Sequence, residues 1–166
     1  MRLLLPLLVL TLSGCTGVDL PAASAGNLDP IAFFTGRSHG DGRFHQVLSR
    51  AHAVQVDSVG RPGRKGGLLL IQRISEEGKA PRTREWVMRP AGPGHFTGSL
   101  TEAVGPVELT VSGPRADVRY SMKNGLKVTQ QLALQPDGQT ILNHLEVHKL
   151  GVRVAWLDET IRKARR

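Results

Sequence analysis

One cysteine in 166 residues excludes an internal disulfide, so the fold must stand on its core and its backbone hydrogen bonds. Aromatics are scarce as well, with two Trp, one Tyr and four Phe. Rings this few, with none interleaved among bases, exclude the stacking platform that single-stranded nucleic acid requires. Acidic residues are outnumbered, 14 against 22 Lys and Arg, giving a formal charge of +8. Spread along the chain, with one cluster at Arg162-Lys163-Ala164-Arg165-Arg166, that excess suits an anionic lipid surface or is simply a solvated, arginine-rich exterior. The apolar stretch at the start, Leu3 to Leu12, is too short to cross a hydrocarbon core, which takes about 20 residues.

What is present begins with that stretch. Arg2 and the apolar run behind it have the form of a secretory leader. Leu12-Ser13-Gly14-Cys15 then resembles the bacterial lipobox, which implies acylation of the Cys15 sulfur, cleavage after Gly14 and acylation of the new amino terminus. Two or more acyl chains hold a protein stably, since each buried methylene contributes about 0.8 kcal/mol. Thr16, where an aspartate would retain the protein in the inner membrane, directs the expectation to an outer-membrane lipoprotein facing the periplasm. Residues 1–14 are thus expected to be a lipoprotein signal peptide and residues 15–30, small, polar and proline-containing, a lipidated flexible tether. Residues 31–166 form one domain, long enough for a real core.

Beyond the tether the hydrophobic period is two rather than 3.6, interrupted at short intervals by glycine and proline. Val54 and Val56, the run Leu68 to Ile74, then Arg84, Trp86 and Met88 lie on successive strands. Val107, Leu109 and Val111 follow, then Val118, Tyr120 and Met122, then Leu126 to Leu134, and Ile141, Asn143, Leu145 and Val147. Asn124-Gly125 predicts a type I′ hairpin and Pro136-Asp137-Gly138 another turn. With His95 to Leu100 and with Val152, Val154 and Trp156, nine or so such strands predict an all-β antiparallel meander closed into a barrel, which removes exposed edges. The segment from Trp156 to Arg166 reads equally as a short C-terminal helix, acids first and bases last, or as a further strand.

In that order the pieces resemble a family of uncharacterised bacterial lipoproteins with a lipocalin-like domain. The matching pieces are Phe33-Phe34-Thr35-Gly36, Gly40-Asp41-Gly42, Arg84-Glu85-Trp86, His95-Phe96-Thr97-Gly98, Tyr120, Leu142-Asn143 and Lys149-Leu150-Gly151-Val152-Arg153-Val154. They cover roughly residues 28 to 155 and imply a lipocalin-like β-barrel in the bacterial envelope. The Gly-x-Trp signature of true lipocalins is absent, because no tryptophan follows Gly36.

Three groups of residues invite chemistry. His144, Glu146 and His148 share one strand face, but residues four apart on a strand are about 13 Å apart, too far for both imidazoles to ligate one ion, so no metal and no cofactor is expected. His39, Asp41 and His45, with Ser38 and Ser49, read as a Gly-rich polar turn without the rigid nucleophile and oxyanion hole of a hydrolase. Polar groups on apolar stripes are more informative: Arg84 with Trp86, Tyr120, Gln130 and Asn143 are the candidate ligand contacts, since each must find a partner inside a barrel. A fatty-acid or phospholipid head group could be that partner, with Arg84 holding a carboxylate by two hydrogen bonds. The alternatives are a filled barrel acting through its outer surface, and an enzyme acting on modified lipids.

Overall fold

The computed structural model describes Leu20 and residues 26–164. Cys15, the expected signal peptide of residues 1–14 and most of the expected tether lie outside the described residues. Ten strands form the fold: β1 (Gly36–Gln46), β2 (His52–Pro62), β3 (Leu68–Glu76), β4 (Arg82–Gly92), β5 (His95–Leu100), β6 (Val107–Ser112), β7 (Arg115–Ser121), β8 (Leu126–Leu134), β9 (Thr140–Lys149) and β10 (Val152–Lys163). Each pairs antiparallel with its sequence neighbours, and β1 pairs with β10, closing the barrel. The all-β meander and its closure are therefore as the sequence predicts.

Alternation decides which face is inside. Val54 and Val56, Leu68 and Leu70, Trp86 and Met88, Leu109, Val118, Val128 and Ile141 are buried, while most of their outward neighbours are polar or charged, with Leu69, Ile71 and Val87 as apolar exceptions. Apolar within and mostly polar without is the reverse of the pattern of a membrane-spanning barrel with a water-filled lumen. No helix among the described residues is long and apolar enough to cross a membrane. At the β7–β8 hairpin Asn124 and Gly125 hold φ of 63° and 73°, the left-handed pair the dipeptide predicts.

One local reading is corrected. The Gly-rich stretch with His39, Asp41 and His45 is not a turn but strand β1. Its glycines face inward opposite large partners: a Cβ on Gly40 would meet Glu159 Oε1 at 2.0 Å, and one on Gly42 would meet Leu157 Cδ1 at 2.8 Å. Of the two readings of the carboxyl end, the strand is the one observed: β10 runs to Lys163, with a register shift at Arg153/Ala155 and Leu157 and Ile161 in the core. The folded unit also begins before residue 31. Leu28 is buried and its N–H donates to the Gly113 carbonyl, so the last residues of the expected tether belong to the barrel.

A five-residue helix, α1 (Pro30–Phe34), closes one end. Asp29 caps it by accepting from the Ala32 N–H at 3.0 Å, and Pro30 begins it with φ already fixed. Phe33 and Phe34 enter the core in an edge-to-face pair, and Lys163 Nζ donates to the Ala32 carbonyl at 2.6 Å. Gly60 makes room, because a Cβ there would stand 1.8 Å from the Phe34 carbonyl oxygen.

Candidate ligand-binding site

The half of the barrel away from α1 is open. A cavity of about 790 Å³ runs inward from that end, walled by Val54, Val56, Ile74, Val128, Leu145 and Leu157 and bordered at the mouth by Phe44, Met122, Leu126, Val147 and Val154. One side of the mouth is ionic: Glu76 lies 2.5 Å from Lys79 Nζ and 3.4 Å from Arg82, and Arg82 also bonds Glu102. Burial works against ionisation of Glu76, but the bonds from Lys79 and His52 outweigh it and hold the carboxyl below its usual range.

At the inner end stand Arg84 and Tyr120. Register places Ser38, Ser58, Gln72 and Arg84 side by side across β1, β2, β3 and β4, all on the inner face. Gln72 organises the row. Its Oε1 accepts from Arg84 Nε at 2.8 Å and from Trp86 Nε1 at 2.7 Å, and its Nε2 donates to Ser58 Oγ at 3.0 Å. Trp86 meets Tyr120 edge-on at 5.9 Å, and the guanidinium lies 5.5 Å from the indole centroid. The two terminal guanidinium nitrogens of Arg84 and the Tyr120 hydroxyl make no hydrogen bond among the described residues, and both side chains line the cavity. Burial raises the Tyr120 pKa, keeping its hydroxyl a proton donor.

Of the residues anticipated from sequence, Arg84, Trp86 and Tyr120 come together at this inner end, with Arg84 and Tyr120 facing the cavity. Gln130 and Asn143 point into the barrel but lie nearer the plug, outside the cavity lining. Asn143 Nδ2 donates to Glu159 Oε2 at 2.8 Å, and Gln130 Oε1, Asn143 Oδ1 and Ser38 Oγ are buried without a partner among the described residues. Glu159 was missed. Burial pushes its carboxyl above the usual range, against the Asn143 bond and the positive charge of Arg84. Gln72 was missed as an organiser, although its place after Leu68 and Leu70 on one stripe could have shown it.

The histidine groups singled out from sequence do not form a comparable site among the described residues. Among the described residues no group of three or more His, Cys, Asp or Glu has a geometry to hold a metal. His144 sits 2.6 Å from Asp158 and 3.4 Å from Glu146, and Glu146 also bonds Arg153, an ionic network. Ser38 and His39, adjacent on β1, face opposite sides of the sheet, so they cannot work as nucleophile and base.

A closed antiparallel meander, plugged at one end and hollow at the other, defines a lipocalin-like barrel protein. The chain belongs to the family described as protein of unknown function (DUF3833), whose profile matches residues 9–163. No curated protein matches it in sequence. Among solved structures it is similar to the S-type phycobiliprotein lyase CPES from Guillardia theta, with 6% identity, a TM-score of 0.62, and 82% of this chain and 92% of that one covered. Rv2717c from M. tuberculosis has 15% identity and a TM-score of 0.61, covering 83% and 99%. A protein of unknown function from the DUF3598 family of Nostoc punctiforme has 12% identity and a TM-score of 0.64, covering 89% of this chain and 53% of its own length. At these identities the likeness is one of fold.

Proposed function

We propose that the barrel binds or carries a small amphiphile with an anionic head, such as a fatty acid or a phospholipid. One observation carries this reading: an apolar cavity of about 790 Å³ whose inner end presents the free nitrogens of Arg84 beside the Tyr120 hydroxyl. A guanidinium offers a carboxylate two parallel hydrogen bonds, and the apolar tail would lie against Val56, Val128 and Leu145. Mostly apolar walls with a few placed polar groups are the usual form of a small-molecule site, and the volume falls within the usual range of about 300–1,000 Å³. A lyase among the proteins of similar fold is in keeping with small-molecule use of such a barrel.

In this reading the protein is anchored to the outer membrane through Cys15 with its barrel in the periplasm. The lipobox-like Leu12-Ser13-Gly14-Cys15 and Thr16 support that placement, and the family profile extends across them from residue 9. The test is titration with a fluorescent long-chain fatty acid. Arg84→Met keeps a side chain against the wall and leaves Gln72 bonded to Trp86. Loss of the charge-assisted bonds should weaken binding about tenfold to a hundredfold, with little change in thermal midpoint. Equal affinity of variant and wild type, or no saturable binding by wild type, would contradict the proposal.

A further inference from the structure

Exposed apolar side chains are ordinary when scattered and informative when gathered. Val47, Leu48, Leu150 and Val152 are gathered on two turns at the open end of the barrel. The β1–β2 and β9–β10 turns adjoin, because β1 pairs with β10 and the Val47 N–H donates to the Val154 carbonyl at 3.0 Å. Leu48 and Leu150 are 102% and 94% exposed, and both hold positive φ, 64° and 51°. Turn positions of that hand are ordinarily given to glycine or asparagine, as at Asn124 and Gly125 in the next turn. Leucine at such a position gives up backbone ease and burial together, so these side chains are placed for something outside the chain.

The geometry points to the lip of the open end as a docking surface for an anionic phospholipid bilayer. Charge favours that occupant. Residues 44–51, 121–127 and 147–153, which form the three adjoining turns, contain no Asp or Glu. Arg50, Lys123 and Lys149 are exposed there and make no ion pair among the described residues. Apolar tips set among cations fit a layer that is anionic at its surface and hydrocarbon a few ångströms below. An acidic protein surface would satisfy the cations and leave the leucines in water.

The lip also continues into the cavity. Phe44, Leu126, Val147 and Val154 line the mouth directly behind the exposed turns, so a docked lip gives an apolar tail a route from bilayer to barrel. The N-terminal approach lies toward the other end, where Arg115 donates to the Leu20 carbonyl and Leu28 bonds Gly113. Docking by the lip is thus separate from an anchor at Cys15, and it stands apart from the ligand reading because its test uses no ligand.

The chain from Thr16 onward keeps every element of the closed barrel and lacks cysteine, so Leu48→Cys and Leu150→Cys each give one site for an environment-sensitive fluorophore. Ser112→Cys, exposed at the plugged end, is the control. With phosphatidylcholine vesicles containing about one-third phosphatidylglycerol, probes at 48 and 150 should shift to the blue and be quenched by brominated acyl chains, while the probe at 112 should not. Vesicle flotation should fall in about 0.5 M salt. It should drop at least about tenfold in the Leu48→Ser/Leu150→Ser double variant, whose thermal midpoint stays at the wild-type value because both positions are exposed. Water-like emission at 48 and 150, equal flotation with neutral vesicles, or undiminished flotation of the double variant would each overturn the inference.

Discussion

A carboxyl group is held inside a barrel only where its surroundings let it keep a proton or supply a counter-charge, and Glu159 has some of each. Gly40 and Gly42 leave the space it fills, Asn143 donates to it, and Arg84 lies across the interior. Burial still dominates and raises its pKa. Folding therefore favours the protonated acid. The stability this contributes is full below the ordinary carboxyl pKa and is lost as pH rises through the raised value. Glu159→Gln keeps an acceptor for Asn143 and removes the ionisation. Thermal midpoints measured from acid to neutral pH should show the variant gaining on the wild type as pH rises and standing above it at neutral pH. Glu76, Asp137 and Glu146, whose lowered pKa values act in the opposite sense, are common to both and cancel in the comparison. Parallel profiles would show that Glu159 is ionised without cost.

Two elements, α1 and β1, show how the sequence pattern succeeds and fails. The plug is seated on the bare backbone of Gly60, so Gly60→Ala drives a methyl into the Phe34 carbonyl and should cost about 3 kcal/mol. Urea unfolding would read that loss, and hydrogen exchange should show Phe33 and Phe34 losing protection first. Gly40→Ala meets a side chain instead and should be rescued by Glu159→Ala, as Gly60→Ala cannot be by truncating any side chain. Strands whose inner positions are filled from their own sequence, such as Leu126 to Leu134, are legible from alternation alone. β1 was hidden because Ser38, Gly40 and Gly42 leave its inner stripe nearly blank, and Leu157 and Glu159 of β10 fill it from across the ladder. The same exchange left the end of β10 ambiguous between helix and strand, because its inner row of Ala155, Leu157, Glu159 and Ile161 is interrupted by a carboxyl group. Arg84, Trp86 and Tyr120 were legible as polar or aromatic groups on inward stripes. That Gln72 ties two of them together, and that space remains beyond, depends on which distant strands face one another.

At the scale of the molecule the barrel has two unlike halves. Near α1 it is packed with Leu68, Leu134, Ile141, Ile161 and the two phenylalanines of the plug, and a row of polar side chains separates that core from the open cavity. A wholly filled barrel would have left function to the outer surface. Here the empty half has an apolar wall, a cation at its inner end and, by the docking inference, a lip that meets the bilayer. The most direct test of the ligand claim is native mass spectrometry of the protein purified from the cells that make it. The account predicts a bound amphiphile with an anionic head group, retained by the wild type and missing from Arg84→Met of equal thermal midpoint. Wild-type protein free of any adduct, or an adduct retained equally by Arg84→Met, would contradict it.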